Sequence, residues 1–258
     1  MFDKKKIRLN HIKSFNKKHK RVIDFFEKVS EILIEKVFDD NQDYSSKNIL
    51  EIASRNDILR NKIYYKSFQS NYFQTCLSER ILVKNNKRVV SNLNDIVFKK
   101  EFFDFCFCLL SLNSSDNIPL IFKNIYTMLK NDGVFVSVFP SDESFKEFKS
   151  YFIEFFKPEQ NYNFNPFFDI QTLGNLCSAT GFKNVIVDKE NFQFNITKPE
   201  EVWHFIRNVG ESNYLLERKK FIVKKSLFKE FYSRYNNEIK EGNLKKNTLS
   251  LYYLIGKK

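Results

Sequence analysis

Apolar positions along the chain switch between two periods. Val22, Phe25, Val29, Ile32, Leu33 and Val37 recur at helical spacing, which predicts an amphipathic helix over residues 19–38. A polar, turn-rich stretch at 41–47 separates it from a short apolar strand at 48–53. Residues 54–57 read as a turn, with Asn56 or Asp57 capping a short helix. Residues 63–68 read as a second strand and 88–93 as a third. Residues 102–112 are almost continuously apolar, as suits a strand buried on both faces of a parallel sheet. Asp116 is placed to cap a helix running through Ile121, Ile125 and Leu129. Gly133 is expected to supply the positive φ that leads into a strand at 134–139. Alternating strands and helices predict an α/β fold with a mostly parallel sheet covered on both faces. Beyond Pro140 the pattern predicts a helix at 142–156, an aromatic and Asn-rich loop at 158–166, and a helix at 169–180 ending at Gly181. A strand at 184–194, a helix at 199–209, a long basic helix at 217–237 and a last strand at 249–255 follow. With no repeat and no linker, residues 1–258 read as one domain. It divides into an N-terminal helical segment (1–40), a core (48–140), cleft-covering helices with strand six (141–248), and the last strand (249–256).

Composition adds little to that picture. Phe, Lys, Asn and Ile are abundant, with 30 Phe in 258 residues. All four have AT-rich codons, so genome bias of a host-restricted bacterium explains the profile without a functional demand. The net charge of +12 suits an acidic partner. Its densest runs are Lys4 to Arg21 and Arg218 to Lys225, and neither forms a nucleic-acid module, so no specific nucleic acid is expected. Cys76, Cys106, Cys108 and Cys177 form no CxxC pair, and His11, His19 and His204 are scattered. No metal site or disulfide framework is expected, and a reducing cytoplasm fits. No stretch is long and apolar enough to predict a membrane span.

Several short motifs occur in a telling order. Thr127-Met-Leu-Lys-Asn-Asp-Gly-Val-Phe135 resembles the Gly-containing turn before the fifth strand of class I S-adenosylmethionine-dependent methyltransferases. Met1-Phe-Asp3, Leu110-Ser-Leu112, Ala179-Thr-Gly-Phe182, Gly210-Glu-Ser-Asn213 and Tyr252-Tyr-Leu-Ile-Gly256 stand around it at compatible spacing. Together they resemble a subfamily that contains the malonyl-acyl-carrier-protein O-methyltransferases of biotin synthesis and the methyltransferase-like assembly factors of respiratory complex I. The Gly210–Asn213 and Tyr252–Gly256 segments look more like the complex I branch. The resemblance implies a Rossmann-like seven-stranded sheet with helices on both faces, an antiparallel last strand and a helical cover over the cleft. It also implies S-adenosylmethionine as cofactor, no metal, and an acyl carrier protein or a complex I subunit as partner. Its cofactor positions fall on Glu51, Ala53, Ser54 and Arg55 after the first strand, Phe68 at the ribose, Asn92 (or Asp95) near the adenine, and Leu110 after the fourth strand.

Several of those positions carry unexpected residues. Ala53, Arg55 and Asp57 stand where the resemblance places glycines that let backbone approach the cofactor. A non-glycine residue at positive φ costs roughly 1 kcal/mol or more, and each side chain adds bulk. Phe68 replaces a ribose-binding carboxylate, Asn92 an adenine-contacting aspartate, and Leu112-Asn113-Ser114 a Leu-His-Trp segment. These changes converge on one pocket and argue against tight cofactor binding. Glu211 and Asn213 read as a polar wall of the cleft or as a structural cap. Asn113 reads as a substrate-positioning residue or a helix cap. Arg55 is expected to be a solvated turn residue, with pairing to a carboxylate the alternative, and Glu51 a strand-end carboxylate. Trp203 and His204 are expected to pack on their helix. Three functions stay open: carboxylate methyl transfer by alignment of donor and acceptor, a non-methylating role in complex I assembly or biotin precursor synthesis, and a catalytically dead scaffold. A nucleic-acid methyltransferase rests on charge alone. An open or a plugged cleft beside residues 53–57 separates the first function from the others.

Overall fold

The computed structural model describes residues 1–16, 19–81, 87–96, 98–157, 164–193, 198–218, 224–243 and 247–258. Helices α1 (Lys4–Asn16) and α2 (Lys20–Val37) lead into β1 (Asn48–Glu51), α3 (Ile58–Lys66), β2 (Asn71–Cys76), β3 (Lys87–Val90) and β4 (Phe103–Leu109). Then come α4 (Ile118–Met128), β5 (Leu129–Pro140), α5 (Lys146–Phe156), α6 (Ile170–Ala179), β6 (Lys183–Gln193), α7 (Pro199–Val209), α8 (Lys225–Lys240) and β7 (Thr248–Lys257). The seven strands lie in the order β3-β2-β1-β4-β5-β7-β6. All pairings are parallel except those of β7, which runs antiparallel to β5 and β6.

Strand period 2 sorts the core into two layers. Ile49, Phe105, Phe107, Val136 and Tyr253 face α2, α5, α7 and α8. Leu50, Cys106, Cys108, Phe135 and Leu254 face α4 and α6. Phe107 and Phe135 are fully buried, each contributing about 1.5–3 kcal/mol. Sheet growth reverses between β1 and β4, so their C-terminal ends flank the crevice where open α/β sheets take ligands.

Four expectations need correction. Residues 63–68 are not a strand: they belong to α3 and its exit, with Leu59 and Ile63 buried one turn apart and Tyr64 and Tyr65 facing out. The second strand is Asn71–Cys76. Phe68 therefore lies outside the ribose position. It is 56% exposed, and its carbonyl accepts from the Ser46 N–H (2.9 Å) just before β1, at the N-terminal ends of the strands and away from the crevice. Asp116 does not cap α4. Asn117 does, accepting from the Leu120 N–H (3.0 Å), while Asp116 pairs with the terminal amine (3.1 Å) and accepts from the Phe2 N–H (3.2 Å). The positive φ near Gly133 falls on Asp132 (64°). Gly133 is needed for space, because a Cβ there would sit 2.8 Å from the Lys130 carbonyl. The basic helix expected from 217 starts at Lys225, and residues 219–223 lie outside the described set, as do Lys17 and Lys18 of the N-terminal run. Among the described residues, no helix is long and apolar enough to cross a membrane, and no His, Cys, Asp and Glu cluster could hold a metal ion.

Candidate functional site between β1, β4 and the end of α7

The turn after β1 is tied to β2. The Ala53 N–H donates to Thr75 Oγ1 (2.8 Å) and the Ser54 N–H to the Thr75 carbonyl (2.8 Å), which holds Ala53 at φ 52°. This aims the next side chain inward. Arg55 is only 4% exposed, so the expectation of a solvated turn residue is overturned. Its Nη1 donates to the Val209 carbonyl (2.7 Å), and its Nη2 donates to the Leu110 carbonyl and to Glu211 Oε1 (2.5 Å). Val209 ends α7, where the helix dipole also favours a cation. Leu110 has φ 52°, in the turn that follows β4.

Gly210 is what lets the chain turn here. Its φ is 89°, and a Cβ would lie 3.0 Å from the Asn10 carbonyl and 3.1 Å from Arg55 Nη1. Glu211 is bonded on both oxygens, with Asn113 Nδ2 donating to Oε2 (3.1 Å). Asn113 also donates to the Tyr214 hydroxyl (2.7 Å). Asn165 donates to the Glu211 carbonyl (3.0 Å) and accepts from the Tyr214 N–H (3.0 Å). Burial raises the Glu211 pKa against the pull of Arg55. Burial, with the Arg55 cation beside it, holds His11 well below the ordinary imidazole value.

A second polar cluster lies behind the first. Glu51 accepts from the Tyr72 hydroxyl (3.0 Å) and from Gln74 Nε2 (2.9 Å). Burial pushes its carboxyl up to about 7. Gln74 Nε2 also reaches Ser54 Oγ (3.0 Å) and Asp57 Oδ1 (3.2 Å), and Arg88 Nη2 donates to Asp57 (2.5 Å) and Gln74 Oε1 (2.8 Å). Glu51 is thus a buried network member and not a bare strand-end carboxylate. β2 ends at Cys76, whose Sγ–H donates to the Ser78 carbonyl (3.4 Å) and whose thiol is raised by burial. A neutral thiol therefore stands where the resemblance implies a carboxylate.

Two cavities flank these clusters. On one side, α1 lies over the end of β3: Arg8 Nη2 donates to Asn92 Oδ1 (2.6 Å), above a space of roughly 40 Å³ bounded also by Ile7, Leu93 and Ser115. On the other side is an aromatic cavity of roughly 210 Å³, with Phe145, Phe164, Phe167, Trp203 and Leu251 in its walls. Glu211 and Asn213 form part of its polar lining, together with Lys149. The Lys149 amine sits 4.8 Å from the centre of the Phe167 ring, and burial lowers it to about 8. Trp203 stacks on Phe164 at 5.9 Å, while His204 is exposed.

The fold therefore brings Arg55, Leu110, Asn113 and Glu211 together, with Ala53, Ser54 and Glu51 one layer behind. Asn213 lines the aromatic cavity, Asn92 the small one, and Phe68 neither. Tyr72, Gln74, Arg88, Asn165 and Tyr214 are members that sequence reasoning missed. Tyr72, Gln74 and Arg88 have polarity within a strand as their signal, whereas Asn165 and Tyr214 lie in loops and have no such signal.

A family model described as a methyltransferase domain matches residues 13–187, more than half of the chain. The chain belongs to the methyltransferase-domain family. Within it, a Rickettsia prowazekii protein named "Putative methyltransferase RP459" is 28% identical over 193 residues, covering 72% of this chain and 84% of that protein. The human protein named arginine-hydroxylase NDUFAF5, mitochondrial, is 26% identical over 201 residues, covering 72% of this chain. The match spans 56% of NDUFAF5, little more than half its length. A solved S-adenosylmethionine-dependent methyltransferase from Archaeoglobus fulgidus superposes with a TM-score of 0.54 at 13% identity, covering 90% of this chain and 94% of that one; this likeness concerns the fold. Open α/β sheets take ligands at a switch point such as that between β1 and β4, and here Arg55 stands in it.

Proposed function

We propose that this methyltransferase-domain protein acts without S-adenosylmethionine, as a non-methylating member of the lineage serving assembly of respiratory complex I. The single observation behind the loss of the cofactor is Arg55. Its guanidinium fills the crevice and uses the Leu110 and Val209 carbonyls and Glu211 as acceptors. Opening the crevice would break a buried ion pair, a change that costs about 3–5 kcal/mol when one partner is removed. The second cavity, at roughly 40 Å³, has room for only a few waters, at about 10–15 Å³ each, far below an adenine. On this reading the residues do not fit the cofactor. The proposed setting is the cytoplasm, in keeping with four free, buried cysteines.

The complex I role draws on the Gly210–Asn213 segment and on the similarity to NDUFAF5. Calorimetry with S-adenosylmethionine at millimolar concentration tests the cofactor half. No saturable heat is expected, and micromolar binding would sink it. Deleting the gene tests the other half: assembled complex I should fall on native gels, and unchanged levels would refute the role. A second reading, an acyl-group step in biotin precursor synthesis with an acyl carrier protein, is favoured by the aromatic cavity with its Lys149 amine. Rescue of a strain lacking the biotin methyltransferase or its partner esterase would select it.

A further inference from the structure

The aromatic cavity beside Glu211 has fixed walls. Phe145, just before α5, and Lys149 on it stand one helical turn apart, and both line the cavity. Phe145 is buried at φ 54°, a conformation that residues with a side chain rarely adopt, and its N–H donates to the Thr248 carbonyl of β7 (2.7 Å). Such strain collects at ligand sites. In the wall from α7, Trp203 packs edge-on against Phe148 (ring centroids 5.0 Å apart) and stacks on Phe164 (5.9 Å). The cavity is therefore preformed, at roughly 210 Å³. An apolar cavity of about 150 Å³ is enough to hold benzene. This one takes a phenyl ring and a short chain.

Its charge is uncompensated. Among the described residues, the Lys149 amine makes no hydrogen bond and no ion pair. It sits over the Phe167 ring (4.8 Å) and feels Asp142, which is itself exposed and accepts from the Tyr252 hydroxyl (2.9 Å). Burial lowers the amine to about 8, so it still carries its proton at pH 7. Glu211 does not serve it, because both Glu211 oxygens are bonded to Arg55 and Asn113. Arg207 also borders the cavity but is exposed, where water screens its charge. A desolvated charge is costly until it is paired. The interior thus lacks one negative charge, and its aromatic walls would strip a hydrated inorganic ion without replacing its water.

We propose that this cavity binds a small aromatic monocarboxylate, with its ring among Phe145, Phe164 and Trp203 and its carboxylate on the Lys149 amine. Edge-to-face contacts with the surrounding rings favour an aromatic body. The ligand is a free acid with no thioester. Its binding therefore needs neither an acyl carrier protein nor complex I, and it can fail or succeed apart from either role proposed for the protein.

Trp203 is the only tryptophan in the chain and lies in the cavity wall, so its fluorescence reports occupancy. The full chain is titrated at pH 7 with 3-phenylpropanoate, its neutral amide and phenethylamine. The acid should give a saturable change. The amide should bind about tenfold or more weakly, because it gives up a charge-assisted contact, and phenethylamine should not bind. Lys149→Met keeps a side chain of similar length without the charge, and should bring the acid down to the affinity of the amide. Lys149→Arg, which keeps the charge, should keep the preference. Calorimetry with the same ligands checks each result without relying on fluorescence. The proposal is overturned by absent binding of the acid, by equal binding of acid and amide to the wild type, or by a preference that persists in Lys149→Met. A borohydride-trapped adduct of 3-phenylpropanal on Lys149, with no binding of the acid, would overturn it in favour of an imine-forming amine.

Discussion

Arg55 and Glu211 are 156 positions apart in the chain and 2.5 Å apart in the fold. That separation is why the arginine reads from sequence as a turn residue on the surface. A lone charge beside a strand end has water as its usual neighbour, and nothing local reveals the Val209 carbonyl or Glu211. The consequence is measurable. Glu211→Gln leaves the Arg55 charge buried with one weaker acceptor, and a loss of about 3–5 kcal/mol is expected in urea denaturation. Glu51 makes a separate prediction, through pH. Its folded pKa is about 7 against an ordinary 4.5, so the folded state holds the proton more tightly. Stability therefore falls as pH rises from about 4.5 to about 7 and levels off above, a loss on the order of 3 kcal/mol. Glu51→Gln keeps a neutral side chain of the same shape and should remove that slope. Equal slopes in the two proteins would show that Glu51 is not the titrating group.

At the scale of elements, what could be read from sequence followed the strength of the period. α2 has a full apolar stripe, and β4 is apolar almost throughout; both are where the pattern put them, within a few residues. α3 failed because Ile63, Tyr64 and Tyr65 favour strands, and only two of its side chains, Leu59 and Ile63, are fully buried. The true second strand, Asn71–Cys76, carries Gln74 and Thr75 where apolar residues are expected, since their side chains bond Glu51 and the Ala53 N–H. The polar cluster thus hid the strand that carries it. The end of α7 gives the element-scale prediction. Gly210→Ala adds a Cβ at φ 89° and 3.0 Å from the Asn10 carbonyl. A cost of about 1–2 kcal/mol is expected from the left-handed backbone, with more from the contact. The denaturation midpoint should drop while the slope stays constant. A drop no larger than the backbone cost would mean that α1 moves freely away from this turn, and an unchanged midpoint would refute the strain at Gly210.

For the whole molecule, the question is whether the crevice is shut at one point or along its length. Arg55 closes it over β1 and β4, and α1, through Arg8 and Ile7, narrows the far end to roughly 40 Å³. Asp57, held by Arg88 and Gln74, stands at a third position where the resemblance implies glycine. Two closures with no shared residue should act independently, so removing one leaves the other in place. Arg55→Gly is therefore expected to lose stability without gaining S-adenosylmethionine binding. Thermal unfolding reads this directly. A ligand present at a hundred times its Kd adds about 2.7 kcal/mol to the folded state. In a domain of this size that would raise the melting temperature by several degrees, at about 2–4 °C per kcal/mol. Millimolar S-adenosylmethionine should instead leave the melting temperature of both wild type and Arg55→Gly unmoved. A rise confined to Arg55→Gly would make that one side chain the whole barrier, and would mean that α1 swings clear of β3 when the cofactor arrives.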